Sequence, residues 1–137
     1  MNQLVGSRGL LGALAAGVVA GLVLAAPVAA RPSGRDAAQN AQVAQGEQVY
    51  ARACASCHGV NLEGPVGPPL DVARLTAYGT VARLYQYTRG TMPIDAPGSL
   101  SDQEYYDVIA YLLQRNDLLP PDTTLDASTA PTVAIRR

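Results

Sequence analysis

The sequence contains no lysine, no tryptophan and no phenylalanine. Its 137 residues include one histidine, two cysteines and two methionines, Met1 and Met92. Each shortage removes a class of function. All ten basic residues are arginine, and no basic patch with interleaved aromatics occurs, which excludes a nucleic-acid surface. The two cysteines and the histidine all fall within residues 54–58, too few donors for a structural zinc site, which takes about four. Carboxylates could complete such a site, but nothing in the pattern points to them. No convincing strand is found, so the βαβ frame of a thioredoxin-like dithiol is missing. Seven tyrosines are the only aromatics. A small domain with so few large apolar side chains builds a marginal core, unless a non-protein apolar body joins it.

What is present is concentrated in one pentapeptide, Cys54-Ala55-Ser56-Cys57-His58. Two thiols three apart, followed at once by an imidazole, form the C-x-x-C-H pattern of covalent c-type haem attachment. Each thiol can add across one vinyl group of the porphyrin, which leaves His58 beside the iron. The competing readings are a redox dithiol and half a zinc site. Both lack the context they need.

The N-terminal stretch reads as an export signal. Arg8 is the only charged residue before Arg31, residues 9–26 are Leu, Ala, Val and Gly throughout, and Val28-Ala29-Ala30 offers small residues for cleavage after Ala30. The rival reading of residues 1–30 is an uncleaved anchor, since the apolar run is near the length that spans a bilayer. No cysteine follows the run closely, and no twin-arginine pair precedes it. Export suits the haem reading, because thioether bonds would occupy both thiols in a compartment where free cysteines tend to form disulfides. Removing 30 residues leaves 107 and takes the net charge from −1 to −2, nine arginines against eleven carboxylates. That is the size of one domain.

Within the mature chain, residues 31–41 read as a flexible polar leader and residues 42–116 as the folded domain. Residues 117–137, with Pro120-Pro121, Pro131 and many Thr, Ser and Asp, read as a tail without its own core, from which Leu118 and Leu119 could pack back. Three helices are expected. The first spans about Ala41–Ala53, with Val43, Gly46, Val49, Tyr50 and Ala53 on one face. The second spans about Thr80–Arg89, with Thr80 as N-cap, a stripe of Val81, Leu84, Tyr85 and Thr88, and Gly90 as stop. The third opens on a capping box, Ser101 with Glu104, and carries Tyr105, Val108, Ile109, Leu112 and Leu113 inward, with Asn116 as terminator.

In this order and spacing the motifs resemble a class I mono-haem cytochrome c of the small bacterial type. Gly46-Glu-Gln-Val-Tyr50 and Cys54-x-x-Cys57-His58-Gly59 resemble the family's opening. Gly67-Pro68-Pro69-Leu70 resembles the turn after the haem site, Gly90-Thr91-Met92-Pro93 the distal-ligand loop, and Asp107-Val-Ile-Ala-Tyr111-Leu112 the closing helix. The resemblance covers about residues 42–115, with Met92 34 positions after His58. It implies an all-α fold, about three main helices plus loops wrapped around one covalent haem c. Cys54 and Cys57 would carry the thioethers, His58 would be the proximal iron ligand, and the carbonyl of Pro68 would accept the other ring N–H of His58. Met92 would be the second iron ligand. It is the only methionine after residue 30, in a loop rather than on a helix stripe, although methionine is more often core filler. A thioether ligand favours ferrous iron and raises the potential relative to two imidazoles. Gly46 and Tyr50 would meet the closing helix around Val108 and Tyr111.

The resulting expectation is an electron carrier in the periplasm or another extracytoplasmic space, with no catalytic residue and no enzymatic activity of its own. Its partners would be redox proteins, a donor and an acceptor, with a periplasmic dehydrogenase or a terminal oxidase as candidates. Membrane association would come only through an uncleaved N-terminal segment. One alternative is a haem subunit of a dehydrogenase complex, docked through the tail after Asp117. Another is a gas- or peroxide-binding protein with an open sixth site. Glu63, Asp71 and Asp95 are expected to be solvated. A lysine ring around the haem edge is impossible here, so the docking patch is expected to be mostly apolar, with Arg52, Arg74, Arg83 and Arg89 contributing locally. Arg89, Tyr78 and Tyr87 are the candidates for bonding the haem propionates.

Overall fold

The computed structural model describes residues 33–137. The export or anchor segment expected over residues 1–30 lies outside them. Five helices follow one another: α1 Gly34–Ala53, α2 Ala55–His58, α3 Val72–Thr76, α4 Val81–Thr91 and α5 Asp102–Arg115. The only strand-like pairing among the described residues is an isolated antiparallel bridge between Thr80 and Ala134. None of the described helices is long and apolar enough to cross a membrane.

Each main helix starts where the sequence gives the backbone a side-chain acceptor. Ser33 with Asp36, and Ser101 with Glu104, form reciprocal capping boxes, while Thr80 and Asp71 cap α4 and α3. These side chains take up amide N–H groups that the first turn cannot pair within the helix.

The frame is the crossing of α1 and α5. It depends on Gly46, where a Cβ would strike the Asp107 carbonyl and lie 2.9 Å from Cβ of Tyr111. Without a side chain there, the two backbones meet directly. The expected partner was the region of Val108 and Tyr111, and the contact falls on Asp107 and Tyr111. One turn on, the Tyr50 and Tyr111 rings pack with centroids 5.3 Å apart, tilted by 40°. The α5 stripe is wider than its apolar periodicity predicts. Every residue from Tyr105 to Leu113 is buried, because α1, α4 and the C-terminal segment enclose the helix on several sides.

The structure departs from two expectations at the ends of the domain. Residues 34–41, expected to be part of a flexible leader, form the first two turns of α1. Residues 117–137, expected to be a tail, are folded onto the domain, with Leu118, Leu125, Ala130 and Ile135 buried. The two departures have one cause. Gln42 makes two hydrogen bonds to the backbone of Leu125, accepting its N–H at 2.7 Å and donating to its carbonyl at 2.8 Å. Gln39, one turn earlier, accepts from Asp122 N–H at 3.0 Å and donates to the Pro120 carbonyl at 2.8 Å. Two primary amides thus act as strand edges for a segment with no strand to pair with. Gln42 also donates to Asp107 at 3.0 Å, and Gln103 donates to the same carboxylate at 2.7 Å. Farther along, Val133 and Ala130 carbonyls accept from Val81 and Ala82, and Ile135 N–H reaches the Gly79 carbonyl. Among the described residues, every buried side-chain nitrogen and oxygen is hydrogen-bonded.

Candidate haem site

Helix α1 ends at Ala53 and delivers the chain to Cys54, whose N–H donates to the Tyr50 carbonyl at 2.9 Å. The Cys54 carbonyl then accepts from both Cys57 and His58, which folds 55–58 into the single turn of α2. That turn places Cys54, Cys57 and His58 on the wall of one cavity of about 500 Å³. Gly59 ends it at φ +79°, a conformation L side chains rarely adopt. Tyr50 donates its hydroxyl to the Gly59 carbonyl, tying the turn back to α1.

His58 is buried, and its orientation is fixed from two directions. Its Nδ1 lies 2.9 Å from the Pro68 carbonyl, the acceptor that the family pattern implies. A carbonyl can only accept, so Nδ1 donates to it, and in the neutral ring that leaves the Nε2 lone pair for a metal. The ring also rests against Gly67, where a Cβ would sit 2.8 Å from Cε1 and 3.0 Å from Nδ1. Only a glycine lets the backbone come so close to the imidazole. The loop that supplies Gly67 and Pro68 is held by the Cys57 carbonyl, which accepts from Val66 at 3.1 Å and from Gly67 at 2.8 Å. Gly67 was legible as part of a turn, but its role as a platform for the ring was not.

Met92 borders the same cavity, as the C-cap residue of α4. Leu70, Leu75, Leu84, Val108 and Leu112 supply much of the apolar wall. Of the three residues considered for propionates, Tyr78 and Tyr87 reach the cavity, their rings 5.2 Å apart. Arg89 instead pairs with Asp102, Nε to Oδ1 at 3.0 Å. Arg52 and Arg74 are the guanidinium groups on the lining. Of the carboxylates expected to be solvated, Asp71 caps α3 by accepting from Arg74 N–H at 2.9 Å, and Glu63 accepts from Asn61 N–H at 2.7 Å. Asp95 lines the cavity.

The electrostatics argue against dithiol chemistry. Burial pushes the Cys54 thiol up to about 11, with Cys57 adding to the rise and Arg52 opposing it. A redox-active C-x-x-C needs its thiolate at neutral pH, whereas Cys54 keeps its proton. Tyr50 is likewise raised to about 12, first by burial and then by its proximity to Cys54. Among the described residues, no group of three or more His, Cys, Asp or Glu is arranged to hold a metal ion. The residues do fit a covalent haem: two thiols, one imidazole oriented by the Pro68 carbonyl, one thioether, and an apolar wall around a cavity.

Comparison with known proteins agrees. A family model described as cytochrome C oxidase, cbb3-type, subunit III matches residues 41–112. No curated protein and no solved structure matches.

Proposed function

Because the chain belongs to the cytochrome c family represented by cytochrome C oxidase, cbb3-type, subunit III, we propose that it is an extracytoplasmic one-electron carrier with His58 and Met92 as its axial ligands. A class I mono-haem cytochrome c carries one covalent haem c and works by haem-based electron transfer. The bound haem supplies an iron that cycles between ferric and ferrous states. The protein supplies everything else. Cys54 and Cys57 anchor the porphyrin. His58 presents Nε2 because Pro68 and Gly67 hold the ring, and Met92 presents its thioether from the end of α4. Held by both His58 and Met92, a haem there would supply one-electron chemistry, and the two side chains would leave no room for a small ligand. Residues 1–30 would direct export and then be removed, which suits a family whose domains typically work outside the cytoplasm.

The observation that carries the reading is the convergence of Cys54, Cys57, His58 and Met92 on one cavity, with His58 Nδ1 already bonded to Pro68. The family name associates such domains with an oxidase, so the partners proposed for this chain are redox proteins, a terminal oxidase or a dehydrogenase among them. The exposed apolar residues Ile94 and Tyr87, both on the cavity lining, suit the apolar docking edge expected of a lysine-free chain. The C-terminal segment is already used inside the domain, which weighs against the reading in which it docks a catalytic partner.

The test is the absorption spectrum of the oxidised and reduced protein, made in a host that matures c-type cytochromes, with extraction in acid and organic solvent. Haem that resists extraction, with a low-spin reduced spectrum and a weak far-red ferric band of sulfur on iron, is the expected result. Covalent haem with a high-spin spectrum would overturn Met92 as ligand and move the function to small-molecule binding. Extractable haem, or none, would sink the attachment at Cys54 and Cys57.

A further inference from the structure

The loop after α4 carries Met92 and has little of its own to hold it. Its internal bonds are Ala96 N–H to the Pro93 carbonyl at 2.9 Å and Ser99 N–H to the Ala96 carbonyl at 3.2 Å. Ile94, within it, is 75 % exposed. Helix α4 holds one atom of Met92, its N–H, through the Thr88 carbonyl at 2.8 Å. The Met92 carbonyl and the Gly98 N–H, six residues apart, converge on one side chain. Tyr105 donates its hydroxyl to the Met92 carbonyl at 2.8 Å and accepts from Gly98 N–H at 3.0 Å.

Tyr105 is well placed to act as a fixed point. It is fully buried in the first turn of α5, immediately after the capping box. Its ring meets that of Tyr85 edge-on, centroids 6.2 Å apart at 88°. Tyr85, on α4, stacks on Tyr106 at 4.4 Å and donates to Asp102 at 2.8 Å. The hydroxyl therefore ties both ends of the loop to the α4–α5 junction.

We propose that Tyr105 is a positioning residue for the Met92 thioether, holding the ligand loop closed through the Met92 carbonyl and the Gly98 amide. The proposal rests on the reading of Met92 as the second iron ligand. Its mechanism is a hydrogen bond that holds the loop in its ligand-presenting form and is lost when the loop opens. An external ligand that displaces the sulfur must first open that loop, so the hydroxyl opposes displacement without touching iron or haem.

The test uses ferric holoprotein and imidazole as the competing ligand. Tyr105→Phe keeps the ring and removes the hydroxyl. Imidazole is expected to bind it about tenfold more tightly than wild type, equivalent to roughly 1.4 kcal/mol, as followed by loss of the far-red sulfur-to-iron band. Gln42→Leu, which weakens the opposite side of the domain, is expected to bind imidazole with wild-type affinity. Equal affinity of Tyr105→Phe and wild type overturns the proposal, and so does an equal gain in Gln42→Leu, which would make the effect one of general stability. In the wild-type holoprotein the Gly98 amide is expected to exchange slowly with solvent. Exchange at the rate of an open loop overturns the clamp whether or not the variant folds. A wild-type ferric spectrum without the sulfur band overturns the ligation reading and this proposal with it. Protection at Gly98 in that case would show that the loop contact exists and that the error lay in the ligand.

Discussion

Helix α5 borders two regions built on different principles. On one side, Val108 and Leu112 border the cavity, opposite Cys54, His58 and Met92. On the other, Asp107 and Tyr111 meet α1, where Gln39 and Gln42 bind the C-terminal segment. The cavity side is a wall of apolar side chains around a space, and it reaches native packing only with a large apolar body inside. The side facing α1 is complete in itself, since its buried polar groups are paired and Leu125 is buried under the Gln42 amide. One domain thus contains a half that depends on its cofactor and a half that does not.

The largest effect should come from removing the cofactor's anchors. In the double variant Cys54→Ala, Cys57→Ala, covalent haem is expected to be absent. Amides of residues 59–70 and 92–99 should then lose protection from hydrogen exchange, while Leu125 and the α5 residues around Asp107 keep theirs. Uniform loss across both regions would break the comparison, because it would make the whole fold depend on haem.

The converse variant acts on the other half. Gln42→Leu leaves the Leu125 N–H and carbonyl without partners and takes one of two donors from buried Asp107. A buried unsatisfied group costs about 1–3 kcal/mol, so a loss of about 3 kcal/mol is expected, read from the denaturant midpoint of the holoprotein. The haem spectrum should not change. A spectral shift would mean that the two halves are coupled more tightly than their geometry indicates.

The smallest effect is shared by both halves. Hydrogen bonds from Tyr85 and Arg89 hold Asp102 below the usual carboxylate range, and bonds from Ser128 and Thr129 do the same for Asp126. A carboxylate lowered in the native state binds fewer protons there than in the unfolded chain, so stability rises with pH across its titration. The contribution is complete above the ordinary carboxylate range and disappears as pH falls through the lowered native values. Asp102→Asn on the cavity side and Asp126→Asn on the tail side should each flatten the acid limb of a stability–pH curve modestly, since both are exposed. An unchanged limb in either variant would remove that carboxylate from the account.

The same division explains what could be read from the sequence. The cavity side was legible because its chemistry requires two thiols and an imidazole within five positions, and the family resemblance added the Pro68 carbonyl beside the ring. The starts of α4 and α5 were legible from Thr80, Ser101 and Glu104, whose capping follows from backbone donors that need acceptors. On the other side the resemblance marked only Gly46 and Tyr50 against the closing helix. Gln39 lies in the stretch read as a leader and Gln42 at the start of the first helix, and their partners are backbone groups of Pro120, Asp122 and Leu125, which no side-chain pattern announces. Tyr105 was legible as a buried residue, but its hydroxyl contacts came from the path of a loop, which periodicity does not describe.

The bond between Gln42 and Leu125 joins positions 83 residues apart. In a chain delivered N-terminus first at about 5–20 residues per second, roughly 4–17 s separate the two partners. For the part of that interval between the emergence of His58 and that of α5, Cys54, Cys57 and His58 are out while the closing helix and the segment that completes α1 are not. The attachment motif is thus presented early, on an open chain, to whatever joins haem to it. The glutamine clasp closes last and turns an accessible peptide into a sealed electron carrier.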